Sequence, residues 1–122
     1  MLVDDDKNTN LYNEIMLKNT EVIENIIVFQ NGEDALEYLK IGSEPVNAIL
    51  LDVNMPKMDG WQFLQQYENL DNSKRATDFV AMLTSSVNSD DRQKAKGYQS
   101  VKKFINKPLN ERAIQDVLAM FD

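Results

Sequence analysis

The sequence predicts an α/β domain: a parallel sheet of five strands with helices on both faces. Three observations predict it. Five short apolar runs alternate with longer helical patterns along the chain, and strict alternation of this kind implies parallel strands joined by right-handed crossovers. Most of the runs are continuously apolar, as expected of strands covered on both faces. The chain has 122 residues, of which 43% are hydrophobic. That is the size of one domain with one buried core.

The first strand is Met1-Leu2-Val3. It is short against a mean of about 5–6 residues, so a few upstream residues of this strand are expected to be missing, a native start at Met1 being the alternative. A helix follows, marked by Leu11 and Ile15 four residues apart. The second strand is Ile26-Ile27-Val28-Phe29. Ala35, Leu36 and Leu39 form the stripe of the second helix, with Asn31 as its candidate N-cap and Gly42 as its candidate C-cap. The third strand is Ala48-Ile49-Leu50-Leu51. Trp61, Leu64, Phe63 and Tyr67 mark the third helix. Phe79 to Leu83 is the fourth strand, and Ser89 is a candidate cap for a fourth helix whose first turn holds Asp90 and Asp91, which suits the helix dipole. Val101 to Ile105, interrupted by Lys102-Lys103, reads as an edge strand. Ile114, Val117, Leu118 and Phe121, opened by Asn110-Glu111, form the last helix. The methionines and Trp61 read as packing residues.

Composition excludes several chemistries. The chain has no cysteine and no histidine, so disulfides, serine-histidine and cysteine-histidine catalysis are impossible. A zinc site would rest on carboxylates alone, which is unusual. The net charge of −7 opposes binding to nucleic-acid backbones and anionic membranes. No apolar run approaches the ~20 residues of a bilayer span, and no charged-then-apolar leader marks export. A cytoplasmic protein is expected.

In a parallel sheet of this kind, ligands bind outside the carboxyl ends of the strands. Asp4-Asp5-Asp6 closes the first strand, Asp52 the third, Thr84-Ser85 the fourth and Lys107-Pro108 the fifth. Parallel strands bring these ends to one edge. Crowded carboxylates raise one another's pKa, and a divalent cation relieves the repulsion. Magnesium takes oxygen ligands and leaves room for phosphate oxygens in its shell. Asp52 is then a nucleophile able to become an aspartyl phosphate, while Lys107 neutralises phosphoryl oxygens and the Thr84 hydroxyl donates a hydrogen bond to one. Taken singly, each motif has a plainer reading: a solvated acidic turn, a turn residue, a strand end, a surface lysine. Their joint spacing favours chemistry.

These residues, Val3-Asp4-Asp5-Asp6, Leu51-Asp52-Val53-Asn54-Met55-Pro56-Lys57-Met58-Asp59-Gly60, Thr84-Ser85 and Lys107-Pro108, resemble the response-regulator receiver family of two-component signalling, over essentially the whole chain. The resemblance implies a flavodoxin-like doubly wound sheet of order 2-1-3-4-5 and one receiver domain over residues 1–122, a bacterial, cytoplasmic single-domain protein with no output domain. It implies that Asp52 accepts a phosphoryl group from a sensor histidine kinase or a histidine phosphotransfer protein, with Mg2+ as cofactor. Asp5 and Asp52 would hold the ion through side chains, Asn54 through its backbone carbonyl and Asp4 mostly through water. Thr84 and Phe104 would be the switch pair, Lys107 would contact the phosphoryl oxygen, and Lys107-Pro108 would be a cis peptide. A downstream protein would dock on the face of the fourth helix, fifth strand and fifth helix, without direct nucleic-acid or membrane contact.

Two departures stand out. Phe104 takes a place where the family often has tyrosine, and Asn106 one where an apolar residue is common. Three other readings compete: an aspartate-nucleophile phosphatase, a receiver fragment of a larger regulator or hybrid kinase, and a docking-only receiver. Phosphatases of that kind carry a second acid two residues after the nucleophile. Asn54 stands there and cannot move a proton, so Asp52 is expected to store phosphate rather than turn it over. Ser86 is expected near the site, where it could help or hinder an attacking water.

Overall fold

The structure is a computed structural model and describes residues 1–85 and 89–121. The strands are β1 (Leu2–Val3), β2 (Val28–Phe29), β3 (Ala48–Asp52), β4 (Phe79–Thr84) and β5 (Val101–Asn106). The α-helices are α1 (Lys7–Lys18), α2 (Gly32–Ile41), α3 (Gly60–Glu68), α4 (Ser89–Ala95) and α5 (Glu111–Leu118), with a short 3-10 turn at Asn72–Lys74. All strand pairs are parallel, and the sheet order is β2-β1-β3-β4-β5, as expected.

The central strands show why their sequences are continuously apolar. Every residue of β3 and β4 is buried, yet alternate side chains enter different cores. Ile49, Leu51, Val80 and Met82 pack with Ala35, Leu36 and Leu39 of α2, Trp61, Phe63, Leu64 and Tyr67 of α3, and Ala95 of α4. Ala48, Leu50, Phe79, Ala81 and Leu83 pack with Leu17 of α1 and Ile114 and Val117 of α5. Helices α1 and α5 thus cover one face, and α2, α3 and α4 the other. At the sheet's edge, β5 is only partly covered.

Local chemistry sets the helix ends. Asn31 caps α2 through its side chain to the Asp34 N–H, and Gly42 ends it at φ 63°, a left-handed conformation that favours glycine. Asp59 and Gln62 form a reciprocal capping box at the start of α3. Asn110 caps α5.

Three details depart from the reading of the sequence. Ser89 is the first residue of α4 rather than its cap. In α1 the helix is present, but Leu11 and Ile15 lie on its solvent side, 56% and 50% exposed. The buried residues of α1 are Asn10, Asn13 and Leu17. The second strand is also shorter than its apolar run, Val28–Phe29 only.

Candidate functional site

The carboxyl ends of β1, β3, β4 and β5 meet as expected. Asp4 follows β1 directly and is 3% exposed, and Asp52 ends β3 at 4%. Thr84 ends β4, fully buried, and its carbonyl accepts the Lys107 N–H at 2.7 Å. This backbone bond, one residue past the paired Thr84 and Asn106, carries the ladder past β5 and delivers Lys107 to the acids. Lys107 Nζ lies 2.8 Å from Asp4 Oδ2 and 3.0 Å from Asp52 Oδ1. The Lys107-Pro108 peptide is cis.

Asp4 is held from several sides. Its Oδ1 accepts the Asp6 N–H at 2.9 Å and its Oδ2 the Lys107 ammonium. Its backbone carbonyl accepts a hydrogen bond from Asn10 Nδ2 at 2.8 Å. Asn10 is a supporting residue that sequence reasoning missed. Its signal was a polar side chain at a helical position facing inward, visible only once the buried face of α1 is known. Asp5 is exposed. Asp6 caps α1, accepting the Asn8 and Thr9 N–H groups, which together hold its carboxyl below the usual range.

The loop after Asp52 is built by close contact. The Gly60 N–H donates to the Val53 carbonyl at 2.8 Å, and a Cβ at Gly60 would stand 2.7 Å from the Asp52 carbonyl oxygen. Glycine is required there by approach rather than by dihedral angle. Asn54 lies in this loop, exposed, two residues after Asp52. Ser85 is exposed, and Phe104 on β5 is half-buried against the core shared with α3 and α4. Ser86 lies outside the described residues.

Electrostatics single out Asp52. Burial, and next the charge of Asp4, push its carboxyl up to about 6, against the pull of Lys107. For Lys107, burial acts to lower the pKa, but its hydrogen bonds to Asp4 and Asp52 outweigh that and raise it. The site therefore holds two buried acids and one ammonium, a net negative charge in a poor solvent for it.

Among the described residues, Asp4, Asp5 and Asp52 bring carboxylate oxygens within 4.8 Å of one another. An all-oxygen donor set with excess negative charge fits a hard divalent cation such as Mg2+ and fits no soft metal. Asp4 already satisfies both its oxygens with protein donors, which suits a contact through water.

The response regulator receiver domain model matches residues 1–119. The chain belongs to this family. Receivers are signalling phosphoacceptors rather than turnover enzymes, and they generally bind Mg2+ at an acidic cluster. The chain is 34% identical over 89 residues to the sensor histidine kinase CheAY of Helicobacter pylori, covering 72% of this chain and 11% of the kinase. It is 32% identical over 96 residues to response regulator Rcp1 of Synechocystis sp., covering 75% of this chain and 64% of Rcp1. The receiver thus spans a small part of the first relative and less than two thirds of the second. The Mn2+-bound form of Rcp1 has a similar structure, with a TM-score of 0.77 and 28% identity over 97% of this chain and 87% of that one. A two-component response regulator from Cytophaga hutchinsonii aligns with a TM-score of 0.86 at 27% identity, covering 97% of this chain and 91% of that one. Among the described residues, no helix is long and apolar enough to cross a membrane.

Proposed function

We propose that residues 1–122 act as a phosphoacceptor receiver in a histidine-aspartate phosphorelay, with Asp52 as the acceptor. The observation that carries this reading is the buried Asp52 carboxylate, 3.0 Å from Lys107 and grouped with Asp4 and Asp5. A carboxylate oxygen of Asp52 attacks the phosphorus of a phosphohistidine presented by a sensor kinase or histidine phosphotransfer protein. The O–P bond forms, the N–P bond breaks, and the histidine nitrogen keeps the electron pair and takes a proton from solvent. Lys107 stays at the acids and turns its ammonium to the new phosphoryl oxygens. The Thr84 hydroxyl donates to another of these oxygens, and Phe104 follows Thr84 as the switch aromatic.

Asp5 and Asp52 would hold Mg2+ by side chains, with the Asn54 carbonyl and, through water, Asp4. Bound there, the cation supplies neutralisation of the negative charge shared by the acids and the phosphoryl group. The Mn2+-bound Rcp1 structure supports a divalent cation in this family. Exposed Asn54, in the place of a second acid, favours a stored phosphoryl over rapid hydrolysis. The receiver then passes its state to a protein partner through the α4-β5-α5 face, by a population shift. We place it in a bacterial cytoplasm, in keeping with the bacterial relatives above. The likeness to part of a sensor kinase favours, as a second reading, a receiver that works as one module of a larger kinase.

Incubation with phosphoramidate and Mg2+ is expected to add one phosphoryl group by intact-mass spectrometry, and Asp52→Asn to abolish the addition. An unmutated protein that gains no mass would overturn the proposal.

A further inference from the structure

Phe104 and Asn106, the two departures from the family pattern, are engaged by one side chain. They lie two apart on β5, so both project from the same face of the strand. That face looks toward α4, because Phe104 packs on the core that includes Ala95 and Trp61. From α4, Arg92 reaches over both. Its guanidinium carbon stands 5.3 Å from the centre of the Phe104 ring, and its Nη2 donates to Asn106 Oδ1 at 3.0 Å. A valine or isoleucine at 106 would offer no acceptor. A tyrosine at 104 would put a hydroxyl at the rim of the ring that Arg92 covers.

We propose that Arg92 is a positioning residue that latches Phe104 in its half-exposed resting place, with Asn106 as the anchor of the latch. The proposal rests on the reading of Phe104 as the switch aromatic. The guanidinium is planar and multidentate, so it can lie over a ring while one N–H stays bound at the side. The Asn106 bond fixes where the plane sits. The ring contact then favours the resting position over any in which Phe104 moves away toward Thr84, whose strand partner is Asn106. Arg92 is on α4 and the ring on β5, so the latch also ties two of the three elements of the proposed output face. By thermodynamic reciprocity, whatever holds Phe104 at rest opposes phosphoryl uptake at Asp52 by the same factor in binding terms. A single cation-π contact at an exposed site corresponds to about two- to fivefold.

The test compares the full chain with Arg92→Ala, Arg92→Lys and Asn106→Val. Phenylalanine ring resonances are followed by NMR before and after phosphoramidate with Mg2+, and labelling is timed by intact mass. In Arg92→Ala, the resting Phe104 resonances should move toward their phosphorylated positions, and labelling should quicken by up to about fivefold, as the released conformer gains population. Asn106→Val should move both in the same direction but less. Arg92→Lys, which keeps a cation without the planar fork, should fall between wild type and alanine. A merely structural role for Arg92 would not produce this graded series. Unchanged Phe104 resonances in Arg92→Ala, or slower labelling, would overturn the latch. Failure of the phosphoacceptor reading is distinguishable: it would appear as no labelling of the wild type, whereas failure of the latch alone leaves wild-type labelling intact and the Phe104 resonances of Arg92→Ala unchanged.

Discussion

The two ends of the sheet follow opposite rules. At the carboxyl end, the buried groups are Asp4, Asp52 and Thr84, with Lys107 reaching in. At the amino end, Phe79 packs edge-on against Phe121 with ring centres 5.0 Å apart. A cleft of about 310 Å³ there has Leu2, Leu17, Ile26 and Leu50 in its lining, with Glu24 and Asn47 also among the lining residues. The same strands supply both ends, so the difference comes from a few residues at their tips. Apolar burial stabilises roughly in proportion to area, whereas buried like charges oppose folding unless they are paired. One end of this sheet therefore stabilises the fold through packing, while the other buries an Asp52 carboxylate whose charge opposes folding despite Lys107 beside it.

The largest expected effect is at the amino end. Phe79 is 3% exposed, and Phe79→Ala should lower unfolding free energy by about 3–5 kcal/mol, measured by urea denaturation. A loss under about 1 kcal/mol would remove the packing half of the contrast.

At the carboxyl end the sign should reverse. The Asp52 carboxyl stands at about 6 in the folded protein against an ordinary 3.8. The folded state thus binds this proton more tightly than the unfolded chain does. Ionised Asp52 opposes folding above pH 6, and the opposition fades as the pH falls from about 6 to about 4. Asparagine is neutral throughout. In metal-free buffer, Asp52→Asn should therefore stabilise by about 1–3 kcal/mol at pH 7.5, since a tenfold difference in proton affinity between the folded and unfolded states corresponds to about 1.36 kcal/mol. The gain should be much smaller at pH 4.5. Denaturation midpoints at the two pH values decide this, and an equal gain at both would contradict the electrostatic account.

The smallest effect sharpens the boundary between packing and exposure. Val22, at the rim of the amino-end cleft, is 63% exposed. Val22→Ser should change stability by no more than about 0.5 kcal/mol in the same assay. A larger loss would mean that the rim carries packing energy that its exposure does not reveal.

Much of this protein was legible in its sequence. The buried central strands announce themselves as Ala48–Leu51 and Phe79–Leu83, because burial on both faces removes any need for polar residues. Caps at Asn31 and Gly42 are local chemistry, complete within a few residues, and the structure keeps both. The candidate site was legible because parallel strands carry their carboxyl ends to one edge whatever lies between. Helix α1 was not. Its apolar pair Leu11 and Ile15 faces solvent, and polar Asn10 faces inward to hold the Asp4 carbonyl. A periodic pattern says that a helix forms but not which face another element will need.

By itself, then, the sequence determined the element order, the parallel sheet, both ends of the second helix and the acids, threonine and lysine brought to one edge. These follow from local propensity and from connections that are short and right-handed. Only the tertiary structure decided that Lys107 bridges Asp4 and Asp52, that Asn10 supports the acidic turn, and that Arg92 spans Phe104 and Asn106. Each of these contacts joins separate elements, and Lys107 and Asp4 are 103 residues apart. No local pattern encodes such distances, because they are set by how the helices settle on the sheet.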